Sequence, residues 1–515
     1  MEVPDNLEVN STAQTQNHTN PKIVIENKVV RTHLATGVPG LDTILAGGFL
    51  NRSTYVIVGA SGTGKTVLTQ QVAFNHARQG HKVLYLTFLS ESHEKMLSNL
   101  TGFSFFDRNL VGNNINYFSL YHEISTDGIG SLVTVARETV LKYRANLVVM
   151  DGVSALRDFA GSRRDLRKEL FDLNAQLSTL GCTVLLIVDD KLPPSDTPEY
   201  GIADGIIWLR NEVYGRRHVR SLEVLKARGA AALGGSHYFD IKSEGLVVYP
   251  RTEAALSYQE SEAPPSPDTS QRFAFGIPGL DEMVSGGLLG NTLNVMIGAP
   301  GNGKTLIGLR FLYEGARQNE KTMVLTFQHP AEHLKIASTS LGFDLSPYID
   351  NGSMQVLWLL PLKRHLDEVA QQLIQAIKAH QPTRLLIDTF DNMEELSLPM
   401  ERLGEFWVAL ITYLRTQRIT TLGTLEFSQV IGSTLEVPDS PVVTLSDSIL
   451  FLRTLEIEGQ LRRAISIIKL RDSGFDSRVC EFVISDEGLR VGEPFDNQRR
   501  ALRDSTQPQT RSRKS

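Results

Sequence analysis

The chain repeats itself. Residues 37–66 read GVPGLDTILAGGFLNRSTYVIVGASGTGKT, and residues 276–305 read GIPGLDEMVSGGLLGNTLNVMIGAPGNGKT. The two segments align without a gap at an offset of 239, and 15 of 30 positions are identical. Solenoid repeats run at periods of about 20–50 residues. A period this long predicts two copies of one whole domain. The expected boundaries are 31–250 for the first copy and 273–493 for the second. Residues 251–272, RTEAALSYQESEAPPSPDTSQR, are rich in Pro, Ser, Glu and Thr without an apolar period and read as a linker. Residues 1–30 read as a polar arm. Residues 494–515 carry six Lys/Arg against two Asp and read as a basic, solvated tail, with a docking segment for an acidic partner as the alternative.

Within each copy, short apolar runs alternate with helix-length segments. TYVIVG, VLYLTF, NLVVMD and TVLLIV in the first copy answer to LNVMIG, MVLTF, RLLID and TTLGTLEF in the second. Fully apolar runs suit strands buried on both faces of a parallel sheet. The expectation is an α/β chain of two tandem doubly wound domains, each a mostly parallel β-sheet flanked by helices on both faces.

Composition excludes several classes. The chain is 41% hydrophobic and 21% charged, which excludes a disordered or fibrous protein. Lys+Arg is 52 against Asp+Glu 58, a formal net charge of −6. That balance argues against a surface tuned throughout for nucleic acid. Cys182 and Cys480 sit in strand-like apolar settings and read as reduced core residues. With no signal-peptide core in the first 30 residues and no run long enough to span a bilayer, the expected setting is cytoplasmic, without a membrane partner.

Gly59-Ala-Ser61-Gly62-Thr63-Gly64-Lys65-Thr66 fits the pattern GxxxxGK[ST], and so does Gly298-Ala-Pro-Gly301-Asn302-Gly303-Lys304-Thr305. Each follows a strand and opens a helix, which is the context the pattern needs. Glycines let backbone N–H groups turn inward around a phosphate, and the helix N-terminus adds partial positive charge. Lys65 and Lys304 would reach the β- and γ-phosphates, and Thr66 and Thr305 would ligate Mg²⁺. An apolar strand ending in Asp follows each loop: Asp151 comes 86 residues after Lys65, and Asp388 comes 84 after Lys304. An acid at the end of a neighbouring parallel strand lies where it can hold Mg²⁺. The cofactors expected are ATP and Mg²⁺.

The GxPGLD lead-in, the phosphate loop, the apolar strand ending in Asp and a later Lys-x-Arg strand together resemble the KaiC family of RecA-like ATPases. The resemblance covers about 30–492 and is tightest at 447–484, DSILFLRTLEIEGQLRRAISIIKLRDSGFDSRVCEFVI. It implies a homo-hexameric ring with ATP held between neighbouring subunits, slow hydrolysis, and KaiB-like or histidine-kinase signalling partners. It also implies a role for Lys226 and Arg228 in LKARG and for Lys469 and Arg471 in IKLRD. In the family, this pair reaches the γ-phosphate bound by the next subunit, where a cation stabilises the transferred phosphoryl. The histidine that usually follows four residues later is replaced by Ala232 and Phe475.

The same resemblance marks damage. Family members carry a Glu-Glu pair just after the second strand, one Glu serving the attacking water. The first copy has only Glu91, displaced by one residue; the second has Gln328 and His329 in those places. A positioned base contributes roughly 10²–10⁴-fold, so its loss leaves binding intact and chemistry slow. Gln328 remains able to orient a water and His329 to act as a weak base. The family's phosphorylated Ser-Thr pair corresponds to Val443-Thr444, and Thr444 reads by default as a β-branched strand residue. The basic clusters at Arg163, Arg164, Arg167 and Lys168 and at 214–220 read as solvated faces or subunit contacts. Three readings stay open at this point: a slow ATP-binding timing or signalling scaffold, an active ATPase and Ser/Thr autokinase, and a RecA-class DNA recombination or repair ATPase.

Overall fold

The computed structural model describes residues 32–88, 93–191, 197–214, 217–257, 265–360, 364–397, 400–427, 438–457, 459–485 and 488–495. Each copy builds one nine-stranded sheet. In the first, the strands are β1 (Thr54–Gly59), β2 (Val83–Thr87), β3 (Ile115–Ser119), β4 (Leu147–Asp151), β5 (Thr183–Asp189), β6 (Gly205–Tyr214), β7 (Arg217–Ala227), β8 (Ser236–Lys242) and β9 (Gly245–Tyr249). In the second they are β10 (Leu293–Gly298), β11 (Thr322–Thr326), β12 (Met354–Trp358), β13 (Arg384–Asp388), β14 (Thr420–Glu426), β15 (Ser448–Ile457), β16 (Gln460–Leu470), β17 (Cys480–Ser485) and β18 (Gly488–Pro494). The spatial order is β9-β8-β7-β6-β1-β5-β4-β2-β3, and the second copy repeats it strand for strand. Strands β3, β2, β4, β5, β1 and β6 run parallel; β7, β8 and β9 add an antiparallel meander at one edge.

Burial on both faces explains why these runs are apolar throughout. Along β1, Tyr55 and Ile57 enter one core while Val56 and Val58 enter another on the opposite face. Helix α1 (Lys65–Arg78) packs against the first of these cores, as its counterpart α5 (Lys304–Arg317) does in the second copy. Helices α2 (Leu132–Tyr143) and α3 (Arg163–Thr179) cover the second. On α3, Leu166, Leu170, Leu173 and Leu177 are buried, while Arg163, Arg164, Arg167 and Lys168 are exposed. Spacings of three and four residues put the leucines on one stripe. Cys182 and Cys480 are buried and unpaired by disulfide. Among the described residues, no helix is long and apolar enough to cross a membrane.

Parts of the stretch expected as a linker are ordered. Residues 252–257 form helix α4 (Thr252–Ser257), and Asp268–Phe273 pairs antiparallel with Leu288–Gly290. Leu256 is buried in the core of the second copy. One leucine cannot set up an apolar period, so composition alone hid the helix. Charge holds it as well. Arg402, just before α7 (Leu403–Thr416), donates to Glu253 Oε1 and Oε2 at 3.1 and 2.6 Å and to Asp367 Oδ2 and Oδ1 at 2.7 and 2.8 Å. Asp367 lies on α6 (Leu366–His380) and also accepts the Thr252 backbone N–H and hydroxyl, both at 2.9 Å. All these groups are buried. One correction concerns Thr444. It lies exposed on the short helix α8 (Pro441–Leu445), not on a strand, because Pro441 starts a turn that Ser440 caps.

Burial works to raise the Glu253 pKa, but the Arg402 hydrogen bonds and charge outweigh it and hold it below the ordinary glutamate range. This pair therefore stabilises the wild-type protein above that range and loses its contribution as pH falls through the folded pKa. Arg402→Ala leaves the buried Asp367 without its cation and Glu253 with Arg251 alone, and is expected to cost about 3–5 kcal/mol at neutral pH. Thermal unfolding should show the gap to wild type narrowing as pH falls below the ordinary glutamate range, where the wild-type protein loses the Glu253 contribution.

Candidate functional site

The first phosphate loop joins β1 to α1. Gly62 and Gly64 adopt φ of +79° and +106°, a region that other residues rarely enter. A Cβ on Gly59 would lie 2.4 Å from the Leu209 carbonyl oxygen, and one on Gly64 would lie 2.9 Å from Ile241. The second loop repeats this at Gly301 and Gly303, with φ of +81° and +93°. The glycines are thus required by backbone and by space. The first loop borders a cleft of about 390 Å³ lined by Ser61, Gly62, Gly64, Lys65, Thr66, Thr87, Asp151 and Asp189.

Parallel pairing brings the strand-end acids beside the loops. Thr66 Oγ1 lies 3.3 Å from Asp151 Oδ2, and Thr305 Oγ1 lies 3.0 Å from Asp388 Oδ2. Two further residues hold these acids. The Tyr85 hydroxyl donates to Asp151 Oδ2 at 3.0 Å, and the Thr424 hydroxyl donates to Asp388 Oδ1 at 2.6 Å. Burial raises the Asp151 pKa; hydrogen bonds from Tyr85 and Thr66 oppose it, and the nearby Asp189 charge adds to the rise. Among the described residues, no cluster of three or more His, Cys, Asp or Glu could hold a metal. A hydroxyl and one carboxylate beside a phosphate cradle suit Mg²⁺, which is held through one or two carboxylates together with the phosphates of its nucleotide.

Lys65 Nζ is bonded to the Gly59 and Ala60 carbonyls and to Asp189 Oδ1, the last at 2.6 Å. Lys304 Nζ meets the equivalent Gly298 and Ala299 carbonyls. Burial lowers the Lys304 pKa, against the charges of Glu426, Asp388 and Asp391. Thr63 bonds the Ala60 carbonyl through its hydroxyl, and Asn302 bonds the Leu452 carbonyl, so both brace their loops.

The Lys-x-Arg pairs do not meet the loops of their own copy. β6 runs parallel to β1, with Tyr55 opposite Gly205 and Gly59 opposite Leu209. β7 returns antiparallel, with Lys226 opposite Ile206. Lys226 and Arg228 thus sit at the far end of the sheet from Gly59. Lys469, opposite Ile449, occupies the same place in the second copy. Both lysines have lowered pKa values, first through burial and then through the adjacent Arg228 and Arg471. Arg228 and Arg471 are mostly exposed.

Of the expected base residues, Glu91 lies outside the described residues. Gln328 is exposed and His329 half-buried just past β11. Thr326 is paired with Asp388, so both leave the strand at the phosphate-loop end. Sequence reasoning passed over Asp189 and Glu426, which end β5 and β14 opposite Gly59 and Gly298. The signal was present, since both close an apolar strand at matching repeat positions. His93, whose Nε2 lies 3.0 Å from the Thr87 hydroxyl at the cleft, was also missed.

A family model for the KaiC ATPase matches residues 34–253 and again 273–496. The chain belongs to the KaiC family. Among KaiC proteins it is similar to the circadian clock oscillator protein KaiC of Picosynechococcus sp., 27% identical over 482 residues that cover 91% of each chain. The oscillator protein KaiC of Prochlorococcus marinus is 27% identical over 477 residues, 90% of this chain and 93% of that one. The circadian clock protein KaiC3 of Synechocystis sp. is 26% identical over 483 residues, 90% and 92% of the two chains. The two nine-stranded sheets are the tandem KaiC domains of the RecA-like fold.

The Tyr85 hydroxyl lowers the Asp151 pKa, so Tyr85→Phe should let it rise further. Mg²⁺ needs the ionised carboxylate. The pH of half-maximal Mg²⁺-dependent nucleotide binding, measured with the Lys304→Ala protein, is expected to move upward.

Proposed function

We propose that the chain is a KaiC-type ATP-binding ring protein. It hydrolyses ATP slowly and serves as a timing or signalling scaffold whose nucleotide state is read by partners. The observation that carries this reading is the sheet register. Each copy presents its phosphate loop at one end of the sheet and its Lys-x-Arg pair at the other. A site that needs both cannot be completed within one copy, and a neighbouring chain would supply the missing pair. In each copy, Thr66 with Asp151 or Thr305 with Asp388 would hold Mg²⁺, which would neutralise phosphate charge. The lysine and the loop N–H groups would hold the β- and γ-phosphates. Lys226, Arg228, Lys469 and Arg471 would supply cations to the neighbour's nucleotide.

ATP then favours assembly, because a ligand that binds the assembled state better shifts the equilibrium toward it. Size measurements should show a monomer-to-hexamer shift on adding ATP·Mg²⁺. Equal mass with and without nucleotide would refute the proposal.

One observation favours activity as an autokinase as the second reading. Lys469 Nζ bonds the Ser446 carbonyl at 2.6 Å, two residues from the exposed Thr444. Thr444 thus shares the end of the sheet that carries the cations for a neighbour's phosphate. Gln328 and His329 oppose efficient transfer, since neither is a carboxylate. Replacing both with Glu in a Lys65→Ala background should raise phosphate release by about 10²-fold if only the base is missing. Unchanged release with intact binding would make the second site structural, and labelled phosphate on Thr444 would favour the autokinase.

A further inference from the structure

The two phosphate-loop lysines differ in one hydrogen bond. A lysine ammonium has three N–H donors. Lys65 Nζ has three partners: the Gly59 carbonyl at 2.8 Å, the Ala60 carbonyl at 2.9 Å and Asp189 Oδ1 at 2.6 Å. Lys304 Nζ meets the Gly298 carbonyl at 2.7 Å and the Ala299 carbonyl at 3.1 Å. Among the described residues no carboxylate pairs with it, although Glu426 holds the register position of Asp189.

We propose that Asp189 sets the selectivity of the first copy between nucleoside triphosphate and diphosphate. It does so by holding the Lys65 donor that a γ-phosphate must take over. This rests on reading the loops as ATP sites. The two carbonyl partners belong to the loop backbone and cannot leave without undoing the turn. Asp189 is the partner that can yield: its side chain is 47% exposed and swings on its own torsions. Its backbone stays in place, because β5 pairs Asp189 with Gly59 and its N–H donates to Ser154 Oγ at 2.9 Å. A displaced carboxylate therefore remains at the cleft, where its charge opposes each added phosphate. A diphosphate meets less of this opposition than a triphosphate. Glu426, one methylene longer and exposed, leaves the second copy without this competition.

The test uses the full-length chain with Lys304→Ala, so that only the first copy binds. Dissociation constants for ATP·Mg²⁺ and ADP·Mg²⁺ are measured by calorimetry with and without Asp189→Asn. The Asn variant should tighten ATP by about 1.5- to 5-fold, the range of one exposed ion pair, and ADP by less. In the reverse background, Lys65→Ala, the change Glu426→Asp should lower the preference of the second copy for ATP. An ATP-to-ADP preference unchanged in both variants overturns the proposal. Failure of the Lys304→Ala protein to bind either nucleotide overturns the reading of the first loop as a nucleotide site.

Discussion

Each sheet runs its six parallel strands in one direction, and that constraint decides which side chains can meet. The phosphate loop leaves the C-terminal end of β1, so every other strand that ends there delivers its last residue to the same cleft. β4 brings Asp151, β5 brings Asp189, and β2 brings Thr87. Burial on both faces is what keeps the strands straight and in register, because a slip of one residue would exchange the two cores. The glycines then do a local job: they let the chain turn from strand to helix within one loop. Antiparallel return of β7 and β16 has the opposite effect and carries the Lys-x-Arg cations away from that end.

Much of this was legible in the residues. The runs TYVIVG, LNVMIG and RLLID are strands to the residue. Helix α1 begins at Lys65 and ends just before Gly80, whose φ is +87°. Strand-end acids at matched repeat positions pointed to Asp151 and Asp388, and the structure sets both against the loop threonines. The same logic applied to VLLIVDD and TLGTLE would have found Asp189 and Glu426. What stayed hidden depends on long-range contact. Tyr85 and Thr424 look like ordinary strand residues until the sheet sets them beside an acid. Helix α4 has too few apolar residues to show a period and is fixed by Arg402, about 150 positions away in a chain whose folding alone closes that distance.

The near-symmetry of the copies makes their differences informative. Both lysines bond the same two loop carbonyls, and both acids bond a loop threonine. The copies part where side chains rather than backbone set the geometry. Asp189 reaches Lys65 while Glu426 does not pair with Lys304. Asp151 leans on a tyrosine from β2 and Asp388 on a threonine from β14. Backbone register has been kept in duplicate, and the charges around each phosphate loop have not.

Strand β8 ties one site to the other copy. Its side chains alternate between two surroundings. Phe239 and Ile241 face inward, and Ile241 closes on Gly64 of the first phosphate loop. Tyr238, Asp240 and Lys242 face the second copy. The Tyr238 ring stacks on His365 at 4.9 Å, Asp240 lies 3.5 Å from His365 Nε2, and Lys242 lies 3.5 Å from Glu368. In β17, the equivalent strand, Phe482 and Ile484 close on Gly303 in the same way, but Glu481 pairs with Arg462 of its own copy. A shift of the first loop that moves Ile241 therefore moves a strand whose other face is bonded to α6 and its N-terminal flank. The second loop presses on a strand whose ion pair lies within its own sheet. The two copies thus share a fold but not a mechanical position, and the contact runs from the first phosphate loop, through one strand's thickness, to the buried charges that dock the copies together.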